Sequence, residues 1–155
     1  MLKLNKKVEY GLVAISHMLN KPDDQLTSVR EICDTYGAPF DPVAHVLRML
    51  NNKGLVKSEQ GAHGGYRVVR SAQDVSLADF IEIVDGPFAF ADCLREDKRC
   101  RCNMTQRCNI LHPMFNLHDK VLKFFRSITV GEMLSDDSLH PAALALNDIQ
   151  TVGSA

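Results

Sequence analysis

The 155-residue sequence predicts a mainly α-helical fold that carries one small β-hairpin. Three observations support this. Two short helical stretches, "TSVREICDTYG" and "APFDPVAHVLRMLNNKG", stand close together. A glycine-rich stretch with hairpin character, "LVKSEQGAHGGYRVV", follows at once. A long amphipathic stretch, "ILHPMFNLHDKVLKFFRSI", lies further on.

The first helix is expected from about Asn5 to Leu19, where Val8, Leu12, Ile15 and Leu19 recur at helical spacing. "NKPDDQ" reads as a loop. The next helix opens on a capping box, in which Ser28 and Glu31 satisfy each other's backbone amides, and Gly37 ends it. In the helix after that, Asp41 suits the N-cap and Pro42 the first helical position. Val43, Val46, Leu47 and Leu50 form its buried stripe, which leaves Ala44, His45, Arg48, Asn51 and Asn52 outside. Two such helices in succession make a helix-turn-helix, and the hairpin behind them makes its wing. Gly61, Gly64 and Gly65 are expected to supply the positive φ angles of the tip. Ser76 caps a further helix, "VSLADFIEIVDG", with Leu77, Phe80, Ile81 and Val84 facing inward. In the last long helix Leu111, Met114 or Phe115, His118, Val121 or Leu122, Phe125 and Ile128 share one side. That face lies beyond the winged-helix core, so a second copy of the same helix is its expected partner. The fold class is therefore a winged helix-turn-helix plus a long C-terminal dimerisation helix. The expected division is a DNA-binding unit over 1–88, a cysteine-rich loop over 89–110, the dimerisation helix over 111–134 and a loose tail over 135–155.

The bulk numbers narrow the class. No apolar run reaches a membrane-spanning length, and the N-terminus lacks the features of a signal peptide, so a cytoplasmic protein is expected. The net charge of −1 conceals an asymmetry. Residues 1–70 hold ten Lys/Arg against seven Asp/Glu, and residues 71–155 hold eight against twelve. A positive front half suits nucleic-acid binding by one end only.

Four of the five cysteines fall in "DCLREDKRCRCNMTQRC", between Asp92 and Cys108. An odd number of cysteines in a reducing compartment points to metal or redox chemistry rather than a disulfide framework. Soft thiolates suit iron, and a Cys₄ set also suits zinc, although the paired C-x₂₋₄-C knuckles of ordinary zinc sites are missing. A thiol switch is the third possibility, since the five basic residues Arg95, Lys98, Arg99, Arg101 and Arg107 would favour thiolate. The same positive charges would offset a thiolate-bound cluster. Cys33 faces inward on its helix and reads as a small core residue.

"KKVEYGLVAISHML", "TSVREICDTYG", "LNNKGLVKSEQGAHGGYRV", "VSLADFIEIVDGP" and the cysteine loop before a long helix resemble the IscR/NsrR-type bacterial transcription regulators, the Rrf-two family, over roughly residues 1–134. The resemblance implies a homodimer on double-stranded DNA and an iron–sulfur cluster, two-iron or four-iron, that controls operator affinity. It implies cluster ligands at Cys93, Cys102 and Cys108. The Cys102–Cys108 gap of five residues fits the family, whereas the gap from Cys93 is longer and Cys100 is extra, which leaves the middle ligand open. For the remaining iron position the family offers two patterns. One uses an acid on the first helix of the other subunit, where Glu9 stands. The other uses a histidine three residues past the last cysteine, where Leu111 stands and His112 comes one later. Thiol-only members also exist in the family. The signal could be nitric oxide, iron or cluster status, or redox state.

For DNA reading, the second helix of the motif belongs in the major groove, with Phe40, Asp41, His45 and Arg48 nearest the base edges. Arg30 and Lys57 suit phosphate contacts. The wing tip, with His63, Gly64 and Gly65, resembles the part of the family that enters the minor groove. A dimer implies a pseudo-palindromic operator. A repressor is expected. A cluster-free thiol or zinc-containing winged-helix regulator or interaction module is the alternative. An enzyme is not expected, because there is no nucleotide-binding glycine motif.

Overall fold

A computed structural model of the chain describes residues 4–22, 24–61, 64–69, 74–89, 91–94, 102–104 and 107–135. The elements run α1 (Lys6–Leu19), α2 (Val29–Tyr36), α3 (Phe40–Asn52), β1 (Val56–Glu59), β2 (Gly65–Val68), α4 (Leu77–Asp85), α5 (Leu111–Ser127) and α6 (Val130–Ser135), with a 3₁₀ turn at Asp92–Leu94. This is the expected mainly helical fold with one antiparallel hairpin and a long C-terminal helix.

The helix caps explain most of the boundaries. The Asn5 side chain accepts from the Lys7 amide at the start of α1. Ser28 and Glu31 form both halves of the capping box on α2, and Gly37 closes that helix at φ 64°. The Ser76 side chain accepts from the Asp79 amide. α3 differs from expectation. Pro39 is its N-cap, at φ −71° and ψ 138°, so the helix starts at Phe40 with no side-chain cap. Proline already holds the extended conformation an N-cap needs.

The core lies between α1, α3 and α4. Val43, Val46, Leu47 and Leu50 of α3 are all buried, as their spacing predicts. On α1 the buried set is Val8, Gly11, Ala14, Ile15 and Met18, while Leu12 is half-buried and Leu19 exposed. Gly11 explains the rotation of this face. A Cβ there would stand 2.9 Å from the Phe80 ring of α4 and 3.2 Å from Val46 of α3. A missing side chain on α1 thus admits a fully buried phenylalanine, whose burial contributes about 1.5–3 kcal/mol.

β1 and β2 pair with Val56 opposite Val68 and Glu59 opposite Gly65, and an ion pair of 2.9 Å joins Arg67 to Glu59. The hairpin is tied back to the loop before α2, because Thr27 and Tyr66 exchange backbone hydrogen bonds of 2.9 and 2.8 Å. Of the three tip glycines, only Gly61 takes a positive φ, of 141°. Gly64 and Gly65 serve close approach instead. A Cβ on Gly64 would lie 2.6 Å from the Glu59 carbonyl oxygen, and one on Gly65 would lie 2.8 Å from that of Thr27.

α5 leaves the reading head and comes back to it. The stripe from Leu111 through His118 to Phe125 is half-buried against α4 and the 92–94 turn rather than fully exposed. Phe88 stacks on His118 with centroids 5.9 Å apart and meets Phe125 edge-on at 5.5 Å. A second apolar set, Phe115, Leu117 and Phe124, remains exposed, and no residue of α5 is fully buried. After Ser127 the chain pairs with the segment preceding α4. Leu77 N–H donates to the Ile128 carbonyl at 2.8 Å, and Val130 N–H to that of Val75 at 2.9 Å. Thr129 and Glu132 then form a second capping box, and Val130 is buried. The expected tail lies outside the described residues beyond Ser135.

Thr27 is fully buried, and its hydroxyl has no hydrogen-bond partner among the described residues. An orphaned buried hydroxyl costs stability that an apolar isostere does not. Thr27→Val is therefore expected to raise stability by about 1 kcal/mol, read as a higher urea midpoint at unchanged slope. A lower midpoint would show that the hydroxyl is satisfied.

A polar cluster ties α1 to α2. His17 Nε2 lies 2.8 Å from Glu31 Oε1, Lys21 Nζ lies 2.7 Å from the same oxygen, and the Tyr36 hydroxyl lies 3.1 Å from His17 Nδ1. With Nε2 donating to the carboxylate, the neutral ring accepts from Tyr36. Partial burial pushes the Glu31 carboxyl up, but the hydrogen bonds from Lys21 and His17 outweigh it and hold the group below the ordinary value of 4.5. A depressed folded value means that the stabilisation is complete above pH 4.5 and is lost as pH falls through the folded value. Denaturant midpoints measured between roughly pH 5 and pH 3 should fall more steeply for the wild type than for Glu31→Gln. Parallel curves would refute the linkage.

Candidate nucleic-acid interface and cysteine segment

α3 presents one exposed side to solvent. Phe40, Asp41, His45, Arg48 and Asn52 are exposed along it, and Ala44 is half-buried among them. The order follows from the helix period, since the opposite side is the buried stripe. Arg48 Nε donates to the Ala44 carbonyl at 3.3 Å, which lays the side chain along its own helix. Arg30 on α2 and Lys57 on β1 are also exposed. Gly64 and Gly65 stand at the start of β2, and His63 lies outside the described residues.

Asn51 departs from its expected place on the open face. Its side-chain oxygen accepts the Ser58 amide of β1 at 2.9 Å. The last turn of the candidate recognition helix is thereby fastened to the wing. Nothing in the sequence pairs these two residues. The visible signal was only an Asn at the end of a helix just before a strand.

The cysteine segment sits where the reading head meets α5. Cys93 belongs to the 3₁₀ turn that packs on α5, and Cys102 and Cys108 follow ahead of that helix, all three half-buried. Cys100 lies outside the described residues. Glu9 is in the first turn of α1, ion-paired with Lys6, and His112 is exposed at the start of α5. Cys33 on α2 is half-buried rather than fully enclosed, and partial desolvation and the charge of Asp34 push its thiol up. Among the described residues no three histidine, cysteine or acidic side chains come together in a group that could hold a metal. Within one chain, then, the described Cys93, Cys102 and Cys108 are not gathered round a common point. No described helix is long and apolar enough to cross a membrane.

A helix-turn-helix with a hairpin wing, an exposed polar side on its second helix and a long helix behind it defines a winged-helix DNA-binding regulator. The family of iron-dependent transcriptional regulators called Rrf2 matches residues 4–136, and the chain belongs to it. Membership makes it a transcriptional regulator and not an enzyme. The solved structure of CymR (YrzC), the global cysteine regulator of B. subtilis, is 27% identical, with a TM-score of 0.66 over 87% of this chain and 98% of that one. T. potens IscR is 24% identical, with a TM-score of 0.64 over 96% of each chain. Staphylococcus aureus CymR is 20% identical, with a TM-score of 0.62 over 84% of this chain and 97% of that one. The last two likenesses concern the fold alone.

If Asn51 sets the angle between α3 and the wing, Asn51→Ala should weaken operator binding by roughly threefold to tenfold, as the loss of about one hydrogen bond implies. Asn51→Asp, which keeps an acceptor oxygen, should largely preserve it. Fluorescence anisotropy on a labelled duplex measures both, and wild-type affinity for the alanine variant would remove Asn51 from the interface.

Proposed function

We propose that the chain is a homodimeric transcriptional repressor that grips a pseudo-palindromic operator with α3 and the hairpin, and that its cysteine segment acts as a cluster-free thiol switch. Arg30, Phe40, Asp41, His45, Arg48 and Lys57 would contact DNA, together with the wing tip at His63, Gly64 and Gly65. The exposed Phe115, Leu117 and Phe124 of α5 supply an apolar face for the second copy. The dimerisation unit over 111–134 and the DNA-binding unit over 1–88 are parts of the same proposal.

One observation carries the switch. Half-buried cysteines stand at the joint between the reading head and α5, and the described ones are not gathered as a metal site. In the switch, two thiols of the segment give up two electrons and two protons to hydrogen peroxide, which leaves as two waters, and a disulfide closes. A new covalent tie there would change how α5 meets the reading head, and so the separation of the two recognition helices.

A second reading is favoured by the Cys102–Cys108 spacing, with Cys93 ahead of it, and by the iron-dependence in the family's description. Cys93, Cys102 and Cys108 of one protomer, with Glu9 of the other, would hold an iron–sulfur cluster. Cys100 or His112 would be substitutes.

Purification without oxygen, followed by assay of iron, acid-labile sulfide and zinc, separates the two. The thiol switch expects substoichiometric metal, operator affinity that changes with peroxide and returns with a dithiol, and loss of that response in Cys102→Ala or Cys108→Ala. Iron and sulfide in equal amounts with visible absorption would replace it by the cluster, and zinc alone by a structural site.

A further inference from the structure

We propose that the chain reads its operator partly through thymine methyl groups, with Phe40 as the specificity-determining side chain and Ala44 extending the contact. The inference rests on the operator-binding role of α3.

Phe40 is the first residue of α3 and is 53% exposed. Single exposed apolar residues are ordinary on protein surfaces, but this one occupies the end of a recognition helix that approaches base edges. Ala44 stands four residues on, directly behind it on the same side of the helix. Together they form a short apolar strip along the exposed side of α3, flanked by the polar Asp41, His45 and Arg48.

The surroundings favour bases over backbone. Asp41 stands in the first turn beside Phe40, and its carboxylate is repelled by phosphate. Pro42, within the first turn, has no N–H to offer a phosphate. The N-terminal end of α3 is therefore poorly made for gripping the sugar–phosphate chain, a task left to Arg30 and Lys57 on neighbouring elements. In the major groove, the apolar group a base presents is the 5-methyl of thymine, and phenylalanine and alanine are among its natural partners. Burying one methyl against the ring is worth about a fourfold gain in affinity.

The test begins with in vitro selection of a duplex from random sequence by the full-length protein. Each thymine of one half-site is then replaced by deoxyuridine, which removes the methyl and keeps every hydrogen-bonding group. Wild-type protein should lose about fourfold in affinity at one or two thymines. Phe40→Ala should bind the thymine operator less well and lose the distinction at those positions, and Phe40→Leu, still apolar, should keep part of it. Circular dichroism and light scattering of the variants check folding and dimerisation. The proposal is overturned if wild type is indifferent to every deoxyuridine, if the half-site facing α3 contains no thymine, or if Phe40→Ala keeps the full penalty. It is also overturned if Phe40→Ala alters only the oligomeric state, because Phe40 then belongs to a protein interface. Failure to select any duplex would instead remove the operator-binding role itself.

Discussion

The Phe80 ring seated on Gly11 is the contact on which the rest of the structure depends. It joins α1, α3 and α4 at one point, because the ring also reaches into the neighbourhood of Val46. α3 has only one side buried, and the direction of that side is set by what it packs against. The exposed side of α3 therefore points where the Phe80 contact sends it. Protein interiors are close-packed, so a shift of a few tenths of an ångström at such a point is transmitted rather than absorbed.

Around that centre, hydrogen bonds fasten the elements that would touch DNA. α2 is bound to α1 through the carboxylate of Glu31, which also completes its capping box. The described part of the wing is tied both to the loop before α2, through Thr27 and Tyr66, and to the end of α3, through Asn51. Such ties matter to recognition because side chains already in place lose less entropy when they meet a groove.

The sequence makes local features legible and distant ones obscure. Ser28, Gly37 and Ser76 mark helix ends because a cap is decided within a few residues. The buried stripe of α3 follows from the helix period alone. The face of α1 was less legible, since Gly11 counts as nothing on a hydrophobicity pattern and yet is buried by the ring it admits. The tip glycines were recognised as necessary, but two of the three are needed for closeness rather than for backbone angle. Glu31 was visible as a capping residue, while its bonds to His17 and Lys21 depend on how two helices meet. The cysteine spacing narrows the chemistry to metal or thiol without choosing, because the choice depends on which side chains a second protomer brings near. The exposed side of α3 was legible for His45, Arg48 and Asn52, while Ala44 is half-buried. Asn51 fell out of it because its partner lies on another element.

The return of the chain to the reading head after α5 has a mechanical consequence. Residues 128–130 are hydrogen-bonded to residues 75–77 at the start of α4, and α5 packs on α4 and the 92–94 turn, so the helix is held along its side and at its C-terminal end by the body it leaves. A helix of 17 residues is about 25 Å long, at about 1.5 Å per residue. Clamped in this way it behaves as a lever arm and not as a tether. A rotation of roughly 5° where two such arms cross would carry the far end of each by about 2 Å, since a helix bends little over that length. Recognition helices have to match half-sites about 34 Å apart, so a displacement of that size is enough to misalign them. Small chemical events at the base of the arm can therefore be felt at the DNA without any part of the protomer unfolding.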